Sequence, residues 1–142
     1  MERAISTINQ FDFTRDEITR FVDKATNEIL DGNDNILAVS GKLKVMEDIV
    51  KGLRANLKDY IHEEASKYPD KTFDLSGFTF SKVNRTTYQY KMDAEWNRLN
   101  EAKKDREAFL KALKTPVADP DSGELINLVN SFVTESISIK VK

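Results

Sequence analysis

Cysteine is absent from the sequence, which excludes disulfides, thiolate metal sites and cysteine nucleophiles. Histidine occurs once, as His62, so any nucleophile–histidine–acid system would have to use that residue. No serine stands in the Gly-x-Ser-x-Gly setting of a nucleophile elbow. Glycine occurs five times and proline three times, which leaves little room for long loops. A Gly-rich phosphate loop, a Walker lysine and a dinucleotide fingerprint are all missing. No apolar run reaches the length of a membrane span. The opening residues, MERAISTINQFDF, lack the apolar stretch and small-residue cleavage site of a signal peptide. These absences lead us to expect a cytoplasmic chain with no catalytic residues, no cofactor, no bound metal and no membrane partner.

What is present is a folded composition: 39% hydrophobic and 32% charged residues in a chain of 142. The net charge is −2, unevenly spread, and between Lys82 and Lys114 nine basic residues face five acidic ones. That bias falls short of the footprint of a dedicated nucleic-acid binder.

The first half reads as helix. Thr14-Arg15-Asp16-Glu17 has the form of a capping box and predicts a helix with Ile18, Phe21, Val22, Ala25 and Ile29 on one face. Asp31-Gly32-Asn33-Asp34 then punctuates the chain and supplies the next cap. Beyond it, Ile36, Val39, Leu43, Met46, Val50, Leu53, Leu57 and Tyr60 recur in steps of three and four, the seam of a coiled coil. Ile29, Ala25, Val22 and Ile18 continue the register backward, so residues 14–68 form either a helical hairpin broken at Gly32 or one long helix. The four consecutive turn-forming residues favour the hairpin. Gly41 and Gly52 weaken the second helix and suggest that another element approaches closely there. Pro69 ends it.

After Pro69 the period becomes two. Residues 73–90 predict a β-hairpin turning at Val83-Asn84-Arg85, and Ser131–Val141 predicts a third strand. Between them WNRLNEAKKDREAFLKAL predicts a helix capped by Asp93 and closed by Thr115-Pro116. Its stripe of Trp96, Leu99, Ala102, Phe109, Leu110 and Leu113 would pack as core against the sheet. The expected fold class is α+β: a long helical hairpin or coiled-coil segment, plus a small antiparallel sheet packed by a helix of the C-terminal half. The whole, residues 1–142, would be one elongated module, with the helical part at 14–68 and the hairpin, helix and closing strand at 73–141.

Two surfaces are candidates for function. The eight seam residues would pack on another helix and extend across a homo-oligomer. Lys82, Arg85, Lys91, Arg98, Lys103 and Lys104, interleaved with Tyr88 and Tyr90, form a candidate contact surface for a protein partner or for DNA, since such mixtures bind strand phosphates and stack bases. His62, flanked by Glu63 and Glu64, reads as a solvated surface residue. Asp119-Pro120-Asp121-Ser122-Gly123-Glu124 lacks the spacing of an EF-hand loop and reads as turn chemistry.

The order GFTFSKVNRTTYQY, EWNRLNEAKKDREAFLKAL, DPDSGE and TESISIKV resembles small proteins of tailed phages and prophages, encoded among early genes near recombination functions. The resemblance spans roughly residues 43–141. In gross architecture, a helical hairpin with a small sheet, the chain is also similar to phage Gam-type nuclease inhibitors. The resemblance implies a non-enzymatic accessory protein that binds a host protein stoichiometrically and so inhibits a host defence or nuclease system. The alternatives are a DNA-binding accessory of recombination or replication, and a coiled-coil structural or assembly protein.

Overall fold

The computed structural model describes residues 4–142. A short helix, α1 (Ala4–Ile8), precedes α2 (Arg15–Asp31) and the 31-residue α3 (Ile36–Ser66). Strands β1 (Thr72–Leu75) and β2 (Phe78–Ser81) follow, then a 3₁₀ turn at Tyr90–Met92, helix α4 (Ala94–Ala112), and the two-residue strands β3 (Val117–Ala118) and β4 (Leu125–Ile126). The class is α+β. The chain divides into two compact units, residues 1–67 with 137–142, and residues 68–136. The boundary falls beside Pro69, where the hydrophobic period changes.

In the helical unit, each terminus follows from local chemistry. The Thr14 amide donates to Glu17 Oε2 at 2.7 Å, and the Glu17 amide donates to Thr14 Oγ1 at 3.3 Å, completing the capping box. The Thr14 amide bond holds the Glu17 carboxyl below its ordinary pKa, with the Thr14 hydroxyl adding to the effect. Phe13, just before the cap, sets its ring 5.5 Å from that of Phe21. At the far end the Gly32 amide bonds the Glu28 carbonyl at 2.9 Å, and a Cβ on Gly32 would meet that same oxygen at 2.9 Å. Asn33 adopts φ 56°, a left-handed conformation asparagine tolerates. The Asn35 side chain then accepts from the Ala38 amide at 3.0 Å and starts α3. The break at residues 32–35 is therefore real. The two helices are consecutive and do not lie side against side. Gly41 and Gly52 face open space, with nothing within 4 Å of an added Cβ, so the expected close approach does not occur.

In the second unit the hairpin is shorter than the sequence suggests. Antiparallel pairing runs from Thr72↔Ser81 to Leu75↔Phe78. The turn is Ser76-Gly77, both at positive φ (53° and 81°), as in a two-residue type I′ turn. This corrects the hairpin expected over 73–90. Ser-Gly can supply two left-handed residues, whereas Val83-Asn84-Arg85 has no glycine to do so, and residues 82–89 form no strand. The Phe73 ring lies between Tyr68, stacked parallel at 4.1 Å, and its cross-strand partner Phe80 at 5.3 Å. The Lys82 amine donates to the Tyr68 carbonyl, and the Lys82 amide to the Lys71 carbonyl at 2.8 Å, closing the base. Phe78 and Phe80 remain exposed, and the hairpin does not pack across α4.

Helix α4 starts at Asp93, whose carboxylate accepts from the Trp96 amide at 2.7 Å, as expected. Its apolar stripe is not core: Leu99 is 54% and Phe109 41% exposed, and among the described elements α4 packs chiefly against the 3₁₀ turn. Strands β3 and β4 pair through Val117↔Ile126 and Ala118↔Leu125, and Ile126 is the one buried residue among those described. The third strand expected at Ser131–Val141 is also corrected, because those residues have no regular structure. Alternation marks two faces of a chain but does not provide a strand edge to pair with.

Candidate interaction surfaces

Helix α3 spans about 46 Å at 1.5 Å per residue. Its seam places Ile36, Leu43, Val50 and Leu57 at heptad position a, and Val39, Met46, Leu53 and Tyr60 at d. Val39 is half-buried, while the other seven are between 41% (Leu53) and 66% (Tyr60) exposed. Every predicted seam residue thus lies on one helical face, and among the described residues no other helix of its unit covers it. Ion pairs one turn apart run along the helix away from the seam, with Glu47 alone of their members at its border. Lys44 Nζ lies 2.9 Å from Asp48 Oδ1 and 3.3 Å from Glu47 Oε2, and Lys51 also pairs with Glu47. Hydrogen bonds from Lys51 and then Lys44 lower the Glu47 pKa, and those to Asp48 and Glu47 raise that of Lys44. Pairs exposed to water in this way add little to stability.

The second surface lies at the corner between the 3₁₀ turn and α4. Asn97 Nδ2 donates to the Lys91 carbonyl at 2.8 Å, which together with the Asp93 cap fixes the turn against the first turn of α4. Three rings are thereby aligned, with Tyr88 and Tyr90 centred 6.1 Å apart and Tyr90 and Trp96 6.2 Å apart at an interplanar angle of 17°. They border an open cleft of about 430 Å³ lined also by Gln89, Lys91 and Met92. Tyr88 and Tyr90 are exposed and Trp96 half-buried, so the sequence expectation of a purely structural Trp96 holds only in part.

The basic residues of this region do not converge on the cleft as one field. Arg98 makes two hydrogen bonds to the Glu95 carboxylate, at 2.6 and 2.8 Å, which lower the Glu95 pKa and raise that of Arg98. Lys104 Nζ is 3.1 Å from Glu101 Oε1, and Lys103 Nζ is 3.8 Å from Glu107 Oε1. Lys82 is bound into the hairpin base. Arg85 and Lys91 are the candidates closest in sequence to the rings, and both are exposed.

His62 lies exposed on α3, and among the described residues no three His, Asp or Glu side chains are grouped to hold a metal ion. In the DPDSGE loop, the Asp119 carboxylate accepts from the Asp121 amide at 2.8 Å and the Ser122 amide at 3.1 Å, while Gly123 (φ 73°) turns the chain back. Asp119 is the keystone of the β3–β4 turn, as the reading of turn chemistry anticipates. The Tyr68–Phe73–Phe80 stack escaped the sequence reading. Its signal was the Ser76-Gly77 dipeptide with aromatics at matched distances on either side.

Among the described residues no helix is long and apolar enough to cross a membrane. No protein-family model matches the chain, and neither a curated protein nor a solved structure does.

Proposed function

We propose that this chain is a non-enzymatic accessory protein of phage origin that acts in the bacterial cytoplasm by stoichiometric binding to a host protein, blocking a defence or nuclease system. The phage resemblance supplies the biological setting. The observation that carries the binding reading is the open apolar surface of the second unit: Tyr88, Tyr90, Met92, Leu99 and Phe109 are all exposed, and Ile126 alone is buried among the described residues. Apolar surface on that scale marks a site of association. Affinity capture from a bacterial lysate, with and without nuclease treatment, tests the proposal. Retention of one host protein in fixed ratio after nuclease treatment is the expected result. Loss of every retained species on nuclease treatment overturns it.

A second reading, single-stranded DNA binding, is favoured by the aligned rings of Tyr88, Tyr90 and Trp96 beside Lys91. Base–aromatic stacking contributes about 1–3 kcal/mol per base. The glutamates paired with Arg98, Lys103 and Lys104 oppose it by diluting the positive field. Retention on a single-stranded DNA column that weakens with salt and is lost in Tyr90→Ala supports this reading. Passage through the column at low salt removes it.

A further inference from the structure

We infer that the α3 seam is the interface of a parallel, in-register homodimer of this chain. This goes beyond the proposed function and does not depend on which host molecule is bound.

The seam runs through more than three heptads with an apolar residue at every a and d position, which is the pattern that pairs helices by knobs-into-holes packing. Among the described residues no other helix of its unit lies on it. The residues at its borders select the occupant. Position g carries Asn35, Lys42, Ile49 and Asn56; position e carries Ser40, Glu47, Arg54 and Ile61. In a parallel in-register pair each g residue faces the e residue five positions later on the other helix. Lys42 then faces Glu47 of the second copy, twice by symmetry, and Ile49 lies along the stem of Arg54. Asn35 meets Ser40 and Asn56 meets Ile61, so no like charges face one another.

An antiparallel pair covering the same eight positions places Leu57 opposite Val39, centres on residue 48, and sets Glu47 against Glu47. Sliding that pair by one heptad relieves the repulsion by bringing Glu47 to Arg54, but leaves Ile36 and Val39 without partners. Parallel and in register is the one arrangement of the three that covers the whole seam without like charges in contact. A foreign helix would need to match both the spacing and the charge; a second copy does so by construction.

Light scattering of the full chain is expected to give twice the 16.2 kDa monomer mass. Lys42→Glu and Glu47→Lys should each weaken self-association about tenfold, by turning two attractive pairs into repulsive ones. Mixing the two variants should restore it. In the mixed pair the two substituted side chains face each other with opposite charge, and the unaltered Glu47 of one chain still faces the unaltered Lys42 of the other. Both positions border the seam, so the variants retain their helices. Because the chain has no cysteine, Leu57→Cys alone reports alignment: it should oxidise to a covalent dimer, as a disulfide needs Cα atoms within about 7 Å. A single-chain mass at every concentration overturns the inference. So does a Lys42→Glu variant that associates normally, or a Leu57→Cys chain that crosslinks only to a Val39→Cys chain, since both outcomes belong to the antiparallel pair.

Discussion

The β1–β2 hairpin and helix α3 dispose of their apolar side chains in opposite ways. In the hairpin, Phe73 is covered on one side by Tyr68 and on the other by Phe80, and the Lys82 amine ties the base to the Tyr68 carbonyl. All of these groups come from one short stretch of chain. Along α3 the leucines and valines recur on a single face that the other helices of its unit leave open. Local contacts therefore hold the hairpin together, whereas α3 carries an apolar face that the other helices of its unit leave uncovered. Most helical stability comes from packing of the apolar face rather than from propensity. The two regions should consequently respond to different perturbations.

The largest effect is expected from Leu53→Glu, which places a charge in the middle of the seam. Loss of a packed leucine alone costs about 2–5 kcal/mol, and an unpaired carboxylate adds to it. The mass should fall to that of one chain and the far-ultraviolet helical signal should drop with it. An unchanged mass and signal would show that nothing covers the seam in solution, and the contrast with the hairpin would collapse.

Phe73→Ala should act on the hairpin alone. It removes two ring pairs worth about 0.5–1.5 kcal/mol each, together with the area they bury. The Lys82 amide, bonded to the Lys71 carbonyl, should lose its protection from hydrogen exchange while the mass stays the same. Simultaneous loss of the helical signal would mean that the two regions are one cooperative unit.

A smaller effect, of opposite sign, is expected from Gly41→Ala and Gly52→Ala. Both glycines sit away from the a and d positions and face open space. Alanine should stabilise α3 by up to about 1 kcal/mol per site, through helix propensity. The melting temperature should rise with no change in mass. A fall at either site would reveal a close neighbour there.

These differences also explain what the sequence discloses. Caps are local, so Thr14 with Glu17, Asp93 and Pro69 mark their helix ends correctly, while the cap expected within Asp31–Asp34 falls one residue later, at Asn35. The three-and-four spacing of the α3 apolar residues is equally legible, because it puts all eight on one helical face whatever covers them. Pairing is not local. Residues 86–90 and 131–141 alternate like strands yet find no edge, and the helix α4 stripe predicts burial without specifying what would bury it. Val83-Asn84-Arg85 is the one turn expected for the hairpin, whereas the backbone turns at Ser76-Gly77, both at positive φ. At the aromatic cleft the residue types were readable from the sequence. The neutralisation of Arg98 and Lys104 was readable too, since Glu95 and Glu101 each stand three residues before them.

The smallest expected effect concerns the β3–β4 turn, the second place where local contacts suffice. The amides of Ser122 and then Asp121 donate to the Asp119 carboxylate and hold its pKa below the ordinary aspartate value. A group with a depressed folded pKa contributes stability above its unfolded pKa and loses that contribution as pH falls through the folded one. The turn should therefore be intact at neutral pH and loosen only in acid, below the range where an ordinary aspartate titrates. In a nuclear magnetic resonance titration the Asp119 carboxyl signal should move together with the Asp121 and Ser122 amides, all with one low midpoint. Asp119→Asn keeps an acceptor oxygen without the charge, so its turn should persist and those amides should cease to respond to acid. Because Asp119 is only half-buried and its bonds stay within the turn, the change in global stability should be slight, and α3 should not register it. An Asp119 that titrates in the ordinary aspartate range while its neighbours' amides stay still would remove it as the keystone of the turn.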